Sequence, residues 1–305
     1  MAFQAEKIWM DGKFINWADA NIHILSHALH YGSCAFDSCR CYKTARGSVI
    51  LRMRDHLLRL FDSCKIYYMD IPFSVEELES AIVELLKINK LESAYIRPFV
   101  FRGLGTLQVS PFKSPIHVAL AAWEWGAYLG EEALENGINV QFSSWHRPAP
   151  NTSPAIAKVA SNYMNAQLIT IEAANNGYDE GIALDYFGYV SEGSGENIFI
   201  VRNGVIYTPP TTSSILPGIT RHSIFKIARD LDLRIEQHVL PRESVYIADE
   251  VFLTGTAAEI TPVTRVDKII IGNGKRGVIT KKIQDYFFGI INGTVKDTHN
   301  WLTHI

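Results

Sequence analysis

Apolar and polar positions alternate in two different rhythms along this chain. Lys7 to Trp17 reads as a hairpin turning at Asp11-Gly12. From Arg54 to Lys65, the residues Leu57, Leu60, Phe61 and Cys64 fall at i, i+3, i+4 and i+7, one buried helical stripe. Ser74 opens another helix: Glu77 stands three residues later, as a capping box requires, and Leu78, Ala81, Ile82 and Leu85 repeat the stripe. Tyr95 to Phe101 and Ile116 to Trp123 are rich in aromatic and β-branched residues and predict strands.

The stretch 126–137 mixes glycine with acids, lacks strand character and reads as a crossing between halves. Beyond it, strands are expected at Ile138 to Phe142, Gly181 to Asp185, Tyr189 to Val190, Asn197 to Val201 and Glu250 to Leu253. A helix is expected from Ile279 to Ile290. Another, after Arg221, carries Ile224, Ile227, Ala228 and Leu231 as its stripe. This order is neither a clean βαβα alternation nor all-β, so the fold class is α+β. The expected division is a small N-terminal domain at 1–125, a connecting loop at 126–137 and a larger C-terminal domain at 138–305.

Composition narrows the function classes. With 47% hydrophobic and 20% charged residues the chain is an ordinary globular one, and 305 residues suggest about two domains. A net charge of −3 gives no global field to gather nucleic acid or an anionic membrane. No segment approaches ~20 uninterrupted apolar residues, and the N-terminus lacks a signal-peptide h-region. Four cysteines, at 34, 39, 41 and 64, suit free thiols in a reducing cytoplasm better than a disulfide scaffold or a zinc site. His23, His27 and His30 cluster without a completing ligand set, so no metal is expected.

Four places carry candidate chemistry. Lys158 is the only charged residue from Pro148 to Ile171 and sits among small apolar neighbours. Burial there would lower its pKa and make it a nucleophile able to condense with an aldehyde; alternatively it snorkels to water from a helix start. Val190 to Asn197 is a glycine-rich turn with two carboxylates, suited to holding a proton on a heteroaromatic nitrogen, or simply an exposed acidic hairpin. Leu216-Pro217-Gly218-Ile219-Thr220-Arg221 feeds a helix N-terminus, an anion site. Thr254-Gly255-Thr256-Ala257-Ala258 follows a strand and would let a ligand touch backbone. No Walker pattern, G-x-G-x-x-G helix opening or G-x-S-x-G elbow is present.

Together these motifs are distinctive. They join His27-Ala28-Leu29-His30-Tyr31-Gly32, Phe36, Arg40-Cys41-Tyr42, Tyr95-Ile96-Arg97-Pro98, Trp125-Gly126-Ala127-Tyr128-Leu129-Gly130, Ala157-Lys158, Ser191-Glu192-Gly193 and Thr256-Ala257-Ala258-Glu259. Over nearly its whole length the chain resembles the branched-chain amino acid aminotransferases, within the fold type IV group of pyridoxal 5′-phosphate (PLP) enzymes. The resemblance implies a two-domain fold type IV architecture, like that of D-amino acid aminotransferase. It implies Lys158 as the lysine of the internal aldimine and Glu192 as the partner of the pyridine nitrogen. Arg59, Ile219, Thr220 and Thr256 would hold the phosphate, and Tyr163 would bond the phenolic oxygen. Thr256, Ala257 and Tyr95 would receive the substrate α-carboxylate; Tyr31, Phe36, Arg40, Trp125 and Tyr128 would line the side-chain pocket. Arg97 would anchor the distal carboxylate of glutamate, with Tyr31 and the loop near Val109 coming from a partner subunit, so at least a homodimer is implied.

The implied reaction is ping-pong transamination between leucine, isoleucine or valine and 2-oxoglutarate. Other fold type IV enzymes stay open: a D-amino acid or (R)-amine transaminase, or an aminodeoxychorismate lyase. A non-catalytic PLP-retaining protein is the remaining alternative class. The chain departs from the family pattern after Phe36, where Asp37-Ser38-Cys39-Arg40 replaces the usual acid-glycine-hydrophobic-arginine, and in the loop Arg102 to Val109. Ser38 and Arg102 are therefore expected to reshape the pocket.

Overall fold

In the computed structural model, which describes residues 5–125 and 132–305, the opening hairpin is β1 (Lys7–Met10) and β2 (Lys13–Asn16). Its turn holds Asp11 at φ 48° and Gly12 at φ 87°, the pair of positive φ values that a tight two-residue turn demands. Next come α1 (His27–Tyr31), β3 (Cys34–Phe36), β4 (Cys39–Thr44), β5 (Gly47–Leu51), α2 (Met53–Ile66), α3 (Val75–Ile88), β6 (Ala94–Arg102) and β7 (Ile116–Trp123). Both halves of the expected capping box form: the Ser74 hydroxyl accepts from Glu77 N, and Ser74 N donates to the Glu77 carboxylate at 2.6 Å. With the C-terminal strand Leu302–His304, these strands build an antiparallel sheet in which β5, β4, β6, β7, β1 and β2 follow in order and β3 shares β6.

The ladder along β6 is broken at one place. Phe36 lies opposite Phe99 and Cys39 opposite Ile96, a single register in which Asp37 and Ser38 face Pro98 and Arg97. Asp37 N donates to Pro98 O at 2.9 Å, but Pro98 has no N–H to return, so the ladder lapses for two residues without slipping. Side chains keep alternating across the gap. Ala35, Cys39 and Cys41 join Ile96, Val100 and Leu120 in the core with Leu57, Leu60 and Ile82 of the helices. Asp37 shares this helix-facing side, fully buried, whereas Phe36, Ser38, Arg40, Tyr95 and Arg97 alternate to the other side.

A buried carboxylate in that core must be paired. Asp37 meets His56 Nδ1 at 2.6 Å and takes a side-on pair from Arg59, Nε at 2.8 Å and Nη2 at 2.9 Å. Ser38 N adds a bond at 2.7 Å. Burial alone would push the Asp37 carboxyl up, but the Arg59 and His56 charges and hydrogen bonds outweigh it and hold the group well below the usual carboxylate range. Burial pushes His56 down, against the pull of Asp37. All four cysteines are free; burial raises Cys34 to about 11 and Cys41 and Cys64 to about 12.

The second sheet uses β8 (Ile138–Phe142), β9 (Glu180–Leu184), β10 (Val190–Gly193), β11 (Asn197–Arg202), β12 (Val205–Thr208), β13 (Ile235–Gln237), β14 (Glu250–Gly255), β15 (Glu259–Val266) and β16 (Ile269–Ile270). Its order is β10-β9-β8-β15-β14-β11-β12-β13, with parallel pairing at β8–β9, β8–β15 and β12–β13. The accompanying helices are α4 (Ala133–Asn136), α5 (Ala160–Asn175), α6 (Ile219–Asp230), α7 (Glu243–Tyr246) and α8 (Val278–Asn292). Contacts divide the chain into two units, each of mixed strands and helices: Met1–Trp125 with Ala157–Ser161 and Ile291–Ile305, and Gly126–Ile156 with Asn162–Ile290. The division expected from sequence puts 157–161 and 291–305 in the second half; pairing of Val159 with Ala35, and of Leu302 with Leu51, groups them with the first. Among the described residues, no helix is long and apolar enough to cross a membrane.

Two expected turns shorten. Residues 190–193 pair with β9, so Glu192 stands on a strand and the turn contracts to 194–196. Thr254 and Gly255 extend β14 because β15, whose sequence pattern does not announce a strand, pairs with both. Of the stretch 126–137, residues 126–131 lie outside the described residues, and Ala133–Asn136 form α4.

Removing the Asp37 charge would leave Arg59 and His56 unbalanced in the core. Asp37→Asn is expected to cost about 3 kcal/mol at pH 7, read from urea unfolding midpoints. The wild-type carboxyl titrates below its unfolded value, so its stabilisation is complete at neutral pH. The difference between the two proteins should narrow as pH falls below about 4.

Candidate active site

Lys158 belongs to the first unit. Its carbonyl accepts from Phe36 N at 3.0 Å, its N–H donates to Ser63 Oγ of α2 at 2.9 Å, and Val159 bridges to Ala35. The lysine is thus sewn along the edge of β3 just before α5 begins. Its side chain is half-buried rather than extended to bulk water, and Nζ lies 4.9 Å from the centre of the Phe36 ring.

The same ring carries a second cation. Arg97 Cζ is 4.7 Å from the Phe36 centre, 5.4 Å from Tyr95 and 6.0 Å from Trp123, a cage of three aromatic faces. Tyr95 meets Trp125 edge-on at 4.4 Å, and Arg40 Nη2 reaches the Trp125 carbonyl at 3.5 Å. Phe36, Arg40, Tyr95, Arg97, Trp125 and Lys158 therefore form one connected cluster. Tyr31 does not join it: it ends α1, is 42% exposed, and its hydroxyl donates to Leu107 O at 2.6 Å. Tyr128 lies outside the described residues. Arg59 stands on α2, where the Asp37 pair fixes the plane of its guanidinium.

In the second unit Glu192 is buried, 4% exposed. Its Oε2 accepts from Asn197 Nδ2 and Leu216 N, both at 3.0 Å, and Oε1 pairs with Arg147 Nη2 at 3.0 Å. Asn197 also donates to Leu216 O at 2.9 Å, which draws the approach to α6 against Glu192. Gly218 is the N-cap of α6, and among the described residues no side chain caps that helix. A Cβ on Gly218 would collide with Asn197 Oδ1, so glycine is required for this close approach. Ile219 and Thr220 are the first two residues of the helix. Thr256 and Ala257 form the half-buried turn between β14 and β15, and Thr254 lies opposite Asn197. Tyr163 is half-buried on α5, the helix that also supplies Asn165 to Arg147 Nη1 at 3.0 Å.

Arg147 is a functional candidate that the sequence does not announce. It is buried, joins α5 to Glu192, and among the described residues its Nε has no hydrogen-bond partner. Nothing links positions 147 and 192 until β8, β9 and β10 are folded side by side. Arg221, part of a conspicuous motif, proves to be internal: it donates to Pro209 O and Gln237 Oε1, and burial pushes it down to about 10 against the pull of Glu192. Arg102 does not reshape the pocket as expected. It is buried and donates to the carbonyls of Tyr67, Tyr68 and Pro111, fastening the end of β6 to the turn after α2. The histidines bond within the first unit, His27 to Ser33 Oγ and Gln108 O, and His30 to Ile24 O.

The family model for class IV amino-transferases matches residues 35–266. The branched-chain-amino-acid aminotransferase of Escherichia coli K12 is 50% identical over 303 residues, covering 99% of this chain and 98% of that protein. The crystal structure of the Escherichia coli branched-chain amino acid aminotransferase superposes with a TM-score of 0.97 at 50% identity, covering 99% of both chains. The branched-chain amino acid aminotransferase from Thermobaculum terrenum, in its PLP-bound holo form, gives 0.92 at 32% identity, again over 99% of both. A buried acid beside an uncapped helix, a lysine sewn to β3 and a likeness spanning the whole chain place this protein among the class IV aminotransferases, in the branched-chain-amino-acid aminotransferase family.

Proposed function

We propose that this chain transfers the amino group of branched-chain L-amino acids to 2-oxoglutarate, yielding branched-chain 2-oxo acids and L-glutamate, with PLP as cofactor. The observation that carries the reading is the shared ring of Phe36: the amine of Lys158 and the guanidinium of Arg97 both stand over one aromatic wall.

The residues present suit PLP at both of its charged ends. A buried carboxylate, oriented by Arg147, Asn197 and Leu216 N, matches a protonated ring nitrogen. The N-terminus of α6, with Ile219 and Thr220, suits a phosphate, and family likeness assigns Arg59 and Thr256 to that phosphate as well. Tyr163 is assigned to the phenolic oxygen. When bound, PLP supplies an electron sink that acidifies the substrate Cα–H. Lys158 Nζ would be the group that holds PLP, and the same amine would take the substrate Cα proton and return it. Glu192 keeps its partner nitrogen protonated.

Family likeness assigns the α-carboxylate to Tyr95, Thr256 and Ala257. Phe36, Arg40 and Trp125 line the side-chain pocket, with Tyr128 assigned to it by family likeness and Tyr31 supplied by a neighbouring copy, and the aromatic surfaces exclude water from an aliphatic chain. Arg97 engages the distal carboxylate when glutamate or 2-oxoglutarate takes the same place. One pocket used in turn by two substrates implies ping-pong kinetics. We infer a homo-oligomer, at least a dimer, with Tyr31 and the Val109 loop serving a neighbouring copy; the exposure of Tyr31, Leu107 and Val109, the last at 79%, supports this. Four free cysteines support a cytoplasmic location.

Borohydride treatment of the yellow holoenzyme should fix the cofactor on the peptide carrying Lys158, detected by mass spectrometry; an unmodified Lys158 would refute the reading. Arg97→Ala should raise KM for glutamate about 100-fold, the roughly 3 kcal/mol of hydrogen bonds to a charged group, and change leucine only a few-fold. Equal losses for the two would remove Arg97 from its assigned role. Chiral analysis of the amino acid formed separates this reading from a D-specific transaminase.

A further inference from the structure

We propose that Ser38 sets how Arg97 presents its charge, and thereby how strongly the pocket separates acidic from aliphatic side chains. The inference rests on the reading of Arg97 as the anchor for a distal carboxylate.

Register places Ser38 directly across from Arg97, between the paired residues Phe36–Phe99 and Cys39–Ile96. Facing side chains on adjacent strands meet, and here Arg97 Nε donates to Ser38 Oγ at 3.0 Å. Ser38 is 2% exposed, and its N–H is fixed on Asp37 Oδ1, whose carboxyl is itself held by His56 and Arg59. The backbone that carries the hydroxyl is therefore held in place opposite Arg97. Three rings lie within 6.0 Å of Cζ, and the serine accepts from Nε in the plane of the guanidinium.

A guanidinium grips a carboxylate in two ways, end-on through both terminal nitrogens or side-on through Nε and one of them. Among the described residues, Nε is the one nitrogen of Arg97 with a protein acceptor. Ser38 thus closes the side-on mode and leaves the terminal pair for an acid arriving along the long axis of the side chain. It also keeps Nε bonded when an aliphatic chain lies beside the arginine, so that substrate strands no additional buried donor. The glycine usual in the family at this place has no hydroxyl and performs neither task. Arg97 would then be held by the rings alone, with Nε open to a ligand.

The test uses holoenzyme and two unreactive probes, glutarate and 4-methylpentanoate, with binding followed by quenching of tryptophan fluorescence. Ser38→Ala and Ser38→Gly are each expected to reduce the preference for glutarate over 4-methylpentanoate about tenfold, the loss of one charge-assisted hydrogen bond. The ratio of KM for glutamate to KM for leucine should move in the same sense. Arg97→Ala, measured alongside, should lose glutarate selectively. If it does so while both Ser38 variants keep the wild-type ratio, the tether is refuted and the role of Arg97 stands. If Arg97→Ala loses neither probe selectively, the anchor and the tether both fall. If the Ser38 variants weaken both probes equally, the serine is structural and the proposal is overturned.

Discussion

Strict alternation of side chains across β3, β4 and β6 is the constraint on which the first unit depends. Pro98 interrupts the hydrogen bonding but not the register, so residues 35–40 continue to send successive side chains to opposite sides. That single fact sends Asp37 into the helix-packed core, where it orders Arg59, and Ser38 to the other side, where it meets Arg97. A slip of one residue would exchange the two, placing a carboxylate beside Arg97 and leaving Arg59 and His56 without their anion. Proline is tolerated here because an antiparallel ladder loses one bond there while its neighbours hold the pairing.

The second unit solves a related problem by different means. Glu192 is removed from water, and one guanidinium, one carboxamide and one backbone N–H contact its carboxylate. Such a buried pair adds little to stability on its own, because desolvation of both charges offsets their attraction. Its value lies in direction: the carboxylate can take few orientations. Asn197 serves both the acid and the approach to α6, and the lack of a side chain at Gly218 lets that approach close.

Elements with local signals are legible in the sequence. The capping box at Ser74 and Glu77, the Asp11-Gly12 turn and the stripes of α2, α3 and α6 depend on residues within about two helical turns of one another. Lys158 stands out because its neighbours are uncharged, and the motif series identifies the family. Less local features are harder to see. Strand β15 escapes a reading by pattern because its burial on both faces erases the period-two alternation. Glu192 looks like a turn residue because glycines stand at 193 and 195, yet pairing with β9 draws the strand through 193. Arg102 looks like a pocket cation because an arginine beside a glycine-rich loop carries no sign of the carbonyls that will surround it.

The sequence by itself thus determined the α+β class, the family and most of the residue types at the candidate site. Those follow from covalent spacing and from chemistry that only certain side chains possess. Tertiary structure alone decided which groups face one another: Asp37 with His56 and Arg59, Ser38 with Arg97, Arg147 with Glu192, and Phe36 beneath two cations. These partners lie from about twenty to more than a hundred residues apart. Their meeting is fixed by strand register and core packing, which depend on the whole chain having folded.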